Sequence, residues 1–201
     1  MRNNCSLFIN TAAKQLQFGL LKDEKFSVIE AGTSKKALEF SLPTIDKLLK
    51  ENNSSLKEIR EFYTLLGPGS NTGIRLGLTI VRTIYGIDNS ISMYGINTLK
   101  AYLTDKNGLS LLSDRAGNLF AGYYKDDEFI NEKILKDEVT TSSLFSKDIY
   151  VDAFDSSTIE LLKDKKINTV SIIDNMFKMR DEFEDYSSKV EEYLPIYQFK
   201  I

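Results

Sequence analysis

The chain has 201 residues, 42% of them hydrophobic, with 26 basic and 29 acidic side chains and a net charge of −3. That is enough for one large domain or two small lobes, and it argues against a stand-alone nucleic-acid binder, which carries excess positive charge. The single cysteine, Cys5, excludes a disulfide within the chain, and the zero histidines exclude a Ser-His-Asp triad, a Cys-His pair and histidine-bound zinc.

No run of eighteen apolar residues exists, and the N-terminus lacks the apolar stretch of a secretion signal, so a cytoplasmic protein without membrane contact is expected. In chain order, Cys5 to Ile9, Leu16 to Leu21 and Phe26 to Ile29 read as three strands, the last two joined by the charged turn Lys22-Asp23-Glu24-Lys25. From Thr33 to Lys50 the period becomes helical, with Leu38, Leu42, Ile45 and Leu49 in one stripe and Pro43 set to kink or divide it. Glu61 to Leu66 reads as a strand, Ser70 to Tyr85 as a helix stopped by Gly86, Ile91 to Tyr94 as a strand and Asn97 to Leu103 as a short helix.

The second half is a rougher repeat. Strands are expected at Ser110 to Leu112, Leu119 to Tyr124, Glu128 to Leu135, Ile149 to Asp152 and Thr169 to Ile172. Helices are expected at Val139 to Phe145, Ser157 to Leu162 and Asp174 to Tyr186. The expected architecture is α/β, two βββαβα-type lobes in tandem with the second degenerate. Residues 1–103 form the first lobe and 104–201 the second, whose last residues are placed to pack back on the first.

One motif stands out. Gly67-Pro68-Gly69-Ser70 lies between a strand and a helix, where amides at a helix start can hold a phosphate. The lysine of a phosphate loop is missing, and so is the three-glycine dinucleotide pattern. A tight turn with Ser70 as helix cap also explains it. The following helix is apolar around much of its circumference: Ile74, Leu78, Val81 and Tyr85 make one stripe, Gly73, Gly77, Ile80 and Ile84 another. Arg75 and Arg82 are its only charges. Either that helix is buried within the chain or it also faces another protein.

The stretch from Phe62 to Leu99 resembles the bacterial TsaB (YeaZ) family, whose members carry a GPGSFTGLRIG-like turn and helix. Gly67, Pro68, Gly69, Ser70, Thr72, Gly73, Arg75 and Gly77 match it, as do Gly95 and Leu99 of the next segment. Weaker echoes are Phe8-Ile9-Asn10-Thr11, Leu42-Pro43, Asp114-Arg115 with Phe120, and Leu194-Pro195-Ile196-Tyr197.

The resemblance implies an actin-like ATPase (ASKHA) fold. It implies a non-catalytic scaffold and activating role in making threonylcarbamoyladenosine at position 37 of tRNA. The implied partners are the catalytic paralogue TsaD, the ATPase TsaE, and tRNA through the complex, with a homodimer open to the chain alone. The implied contact uses the first two helices, here Leu38, Leu42, Ile45, Gly73, Ile74, Gly77, Leu78 and Val81. No catalytic or metal-ligating residue and no cofactor of its own are implied, and ATP or ADP at the complex interface is left open. Asn10 stands where the family usually has Asp, Asn71 where it has Phe. The alternatives are an actin-fold small-molecule kinase or hydrolase, and a homodimeric interaction module.

Overall fold

The computed structural model describes residues 5–196 apart from 104, 115 and 136–141. Arg115, Tyr197 and the first residues of the helix expected from Val139 lie outside the described residues.

Two sheets are built to one plan. In the first, strands β1 (Cys5–Asn10), β2 (Gln15–Lys22) and β3 (Lys25–Thr33) form an antiparallel meander. Strands β4 (Ile59–Leu65) and β5 (Ser92–Ile96) then add parallel on the other side of β1. In the second, β6 (Leu109–Ser113), β7 (Leu119–Lys125) and β8 (Glu128–Ile134) repeat the meander, with β9 (Ile149–Asp152) and β10 (Ile167–Val170) added parallel beside β6. The orders β3-β2-β1-β4-β5 and β8-β7-β6-β9-β10 correspond strand for strand. Both hairpins turn on an acidic pair with positive φ, Asp23-Glu24 and Asp126-Asp127, the backbone that a two-residue turn between twisted strands requires.

The helices keep the same plan. Helix α1 (Ala37–Glu51) follows the first meander, α2 (Asn71–Ile87) links β4 to β5, and α3 (Thr98–Tyr102) follows β5. Helix α4 (Ser156–Leu161) links β9 to β10, and α5 (Ile172–Lys178) follows β10. Where the second lobe would repeat α1, the described residues hold a 3-10 turn, Ser143–Ser146.

Several boundaries differ from expectation. Strand β3 runs on to Thr33, where a helix was expected to begin. Pro43 sits inside a continuous α1, on its exposed side, so the lost amide costs one bond without dividing the helix. Helix α2 passes Gly86 and ends at Ile87. The long helix expected from Asp174 to Tyr186 is α5 followed by a 3-10 turn and a two-residue strand β11 (Glu184–Asp185).

Strand β11 pairs with β5, so the chain returns to the first sheet. There it covers an aromatic ladder fixed by register: Phe8 is opposite Tyr63 and Tyr63 opposite Tyr94. The rings stack at centroid distances of 4.5 and 4.7 Å, and Phe183 stands edge-on to Tyr63. Helices α1 and α2 cover the other face, where Ile9 approaches Gly77. With both faces covered, β1 is buried along its whole length. Among the described residues, no helix is long and apolar enough to cross a membrane.

Candidate functional site

The glycine turn is a joint between β4, α2 and the loop after β1. Leu66 N–H donates to the Ile96 carbonyl at 2.9 Å, and the Gly67 carbonyl accepts from Thr98 N–H at 2.9 Å. Gly67 has φ +113° and precedes a cis peptide to Pro68. Gly69, with φ +155°, lies so near the loop that a β-carbon there would stand 2.4 Å from the Ala12 carbonyl oxygen. Ser70 N–H donates to that carbonyl at 2.8 Å. Ser70 Oγ accepts from Gly73 N–H at 3.3 Å and caps α2.

The start of α2 is pressed onto Thr11. Its hydroxyl donates to the Gly73 carbonyl at 2.7 Å, and a β-carbon on Gly73 would fall 1.8 Å from the Thr11 carbonyl oxygen. At Gly77 it would fall 2.7 Å from Thr11 Oγ1. Asn10, fully buried, holds the loop in place by accepting from Ala13 N–H and donating to Gln17 Oε1, both at 3.1 Å. The amides of Ser70 and Gly73, which a phosphate would need, are thus engaged by the chain itself. The C-terminal segment closes the joint, with Ile196 N–H donating to the Leu66 carbonyl at 2.8 Å.

This geometry corrects the assignment of the helix faces. Ile45, Gly73, Ile74, Gly77, Leu78 and Val81 are buried against the first sheet and between the helices, so they present nothing to a partner. The glycines that seemed to invite a second helix admit Thr11 and Ile9 instead. Leu38 and Leu42 do reach solvent, at 73% and 60% exposure, with Pro43 exposed beside them on α1. On α2, which packs against α1, the outward stripe is Thr72, half-buried Leu76, Thr79 and Thr83, with Arg75 and Arg82 alongside. That stripe is hidden in the sequence because three of its four residues are threonines, although the four recur at i, i+4, i+7 and i+11.

A second cluster went unnoticed in the sequence. At the end of β9, Asp152 is buried and carries a pKa pushed up to about 6, chiefly by burial, against the N–H of Phe154 and with the charge of Asp155 adding to it. Asp155 caps α4 through Thr158 N–H and lies 3.6 Å from Lys14 Nζ of the first lobe. Its signal was the strand-to-helix sequence Asp152-Ala153-Phe154-Asp155, ending on a cap residue.

Two lobes of shared topology, joined at such a junction, define an α/β protein of the actin-like (ASKHA) fold. The YeaZ protein from Pseudomonas aeruginosa has that fold, with a TM-score of 0.68 and 13% identity over 97% of this chain and 100% of that one. A family model described as TsaD, tRNA N6-adenosine threonylcarbamoyltransferase, matches residues 30–141, and the chain belongs to this family. Proteins named TsaB and YeaZ are among those it is similar to.

An uncharacterized protein of Mycoplasma pneumoniae, the MG208 homolog, is 31% identical over 119 residues, 58% of this chain and 60% of that one. Bacillus subtilis TsaB, a tRNA threonylcarbamoyladenosine biosynthesis protein, is 26% identical over 141 residues, 66% of this chain and 60% of its own length. The match thus spans 60% of the length of each of these relatives.

Proposed function

We propose that this chain is a non-catalytic subunit of the machinery that makes threonylcarbamoyladenosine on tRNA, and that it binds a catalytic TsaD through the outer face of α1 and α2. The observation that carries the reading is the pair Leu38 and Leu42, 73% and 60% exposed one helical turn apart. Burying one such leucine is worth about 1.5–3 kcal/mol, so two of them form the apolar centre of a small interface. The stripe Thr72, Leu76, Thr79 and Thr83 on α2 widens it with short side chains that let a partner helix come close. Reaction chemistry then belongs to the partner, and TsaE and tRNA join through the complex. ATP or ADP, where it takes part, sits at the complex interface. This role fits a chain without histidine whose glycine turn has its amides engaged internally.

Co-purification of tagged chain with the TsaD of the same organism tests this. Wild type retains TsaD at equal stoichiometry and Leu42→Asp loses it while keeping its circular dichroism spectrum. A self-dimer that Leu42→Asp breaks, with no TsaD bound under any condition, would sink the reading in favour of a homodimeric module.

A further inference from the structure

The two sheets share a plan but differ at one edge. In the first, β11 pairs antiparallel with β5, Glu184 opposite Gly95 and Asp185 opposite Tyr94, so β5 has a partner on both sides. Strand β10 holds the equivalent place in the second sheet, and among the described residues it pairs with β9 alone. The Val170 carbonyl accepts from Ala153 N–H at 3.0 Å, on the β9 side. In a parallel pair, alternate residues turn both backbone groups to the neighbouring strand. Asn168 and Val170 therefore face β9, while Ile167 and Thr169 direct N–H and C=O to the open side. Thr169 is exposed there. An unpaired edge of this kind is a template for another extended chain.

The approach to that edge is basic. Lys163, Lys165 and Lys166 immediately precede β10 and are exposed, with Asp164 the one acid among them. Lys163 Nζ lies 3.6 Å from Glu160 Oε1, and both side chains are well solvated. A solvated pair is weak, so this lysine stays available to another carboxylate. Lys165 Nζ stands 5.5 Å from the centre of the Phe145 ring, which leaves its charge unneutralised. The matching edge of the first sheet is closed by two acidic residues, Glu184 and Asp185. Nucleic acid would answer the lysines, but it has no ladder of amides and carbonyls to match Ile167 and Thr169.

We propose that the open edge of β10 takes an extended acidic segment of a partner protein as a further strand, its carboxylates meeting Lys163, Lys165 and Lys166. Main-chain pairing at Ile167 and Thr169 sets the register, and the lysines select for acidic partners. This edge belongs to the second lobe and is independent of the α1–α2 face.

Nuclear magnetic resonance of the isotope-labelled whole chain tests the edge, with the blocked peptides Glu-Val-Glu-Val-Glu-Val and Lys-Val-Lys-Val-Lys-Val as probes. The expected result is that the acidic peptide shifts the amide resonances of Ile167 and Thr169 and slows their exchange with solvent at least about threefold, with a Kd of about 1 mM or below. The basic peptide does neither. Thr169→Pro removes an outward N–H, which an edge strand tolerates, and weakens binding at least about tenfold. Lys165→Glu/Lys166→Glu, which leaves the backbone groups in place, has the same effect. No shift of the two amides at millimolar acidic peptide would overturn the proposal, as would binding unchanged in both variants. Shifts confined to residues 163–166, matched by a single-stranded oligouridylate and with Thr169 exchanging as in the free chain, would overturn it in favour of nucleic acid.

Discussion

Gly73 and Gly86 lie on the same helix, and their surroundings set opposite expectations. A methyl group on Gly73 meets a backbone carbonyl at 1.8 Å, which cannot swing aside, whereas nothing lies within 4 Å of the same atom on Gly86. Gly73→Ala should therefore lower stability by about 3 kcal/mol or more, and Gly86→Ala should raise it by up to about 1 kcal/mol through helix propensity. Urea unfolding of the two variants measures both.

Asp114 offers a pH test at the same scale. Partial burial opposes its charge, but Asn118, Lys133 and the amides of Asn118 and Ala116 outweigh burial and hold its pKa at about 2. A depressed acid contributes stability above its unfolded pKa near 4 and loses it as pH falls toward 2. Between pH 5 and pH 2.5 wild type should lose about 1 kcal/mol that Asp114→Asn does not, solvent screening reducing the full linkage value, read from the unfolding midpoints at the two pH values.

At the scale of elements, the strands, the glycine turn and the order of the first lobe were legible in the sequence, because each rests on local pattern: apolar runs, an acidic hairpin turn, a cap at Ser70. The faces of the helices were not. Leu38, Leu42, Ile45 and Leu49 recur at helical spacing, yet α1 rotates Leu38 and Leu42 outward and buries Ala37, Ser41 and Thr44. Small polar residues fit against the sheet where a stripe count looks only for large apolar ones, and Ser41 satisfies its hydroxyl on the Ala37 carbonyl at 2.7 Å. In the same way Gly73 and Gly77 read as a docking surface because periodicity does not tell which neighbour, inside or outside the chain, a small residue admits. The long helix expected at Asp174 failed for a tertiary reason: Tyr186 N–H is drawn to the Met93 carbonyl at 2.8 Å, ending helical pairing in favour of the sheet edge. Pro43 gives the element-scale prediction. It removes one bond from the middle of α1 on the exposed side, so Pro43→Ala should raise the unfolding free energy by about 1 kcal/mol, measured by the urea midpoint at unchanged slope.

At the scale of the molecule, the division at residue 103 does not separate two folding units. The core of the first sheet includes Ile172, Ile173, Met176, Phe183, Tyr186 and Tyr193, all supplied after residue 103. Thr64 and Tyr193 hydroxyls bond directly beneath that segment. A fragment of residues 1–103 should lack a cooperative thermal transition, which calorimetry would show, while the full chain has one. The repeat between the lobes is plain in the strand orders and faint in the residues. Covering the second sheet needs only apolar character at matching places, and no stretch of the second lobe repeats the glycine turn.

The proposed contact with a catalytic TsaD rests on Leu38 and Leu42, which α1 turns outward beside the short side chains of α2. Titration calorimetry of TsaD with the wild-type chain and with Leu38→Asp/Leu42→Asp tests it most directly. The expected result is a one-to-one complex weakened at least about 30-fold by the double change, with the variant's melting temperature held close to wild type. Equal affinity of the folded variant and wild type would contradict it.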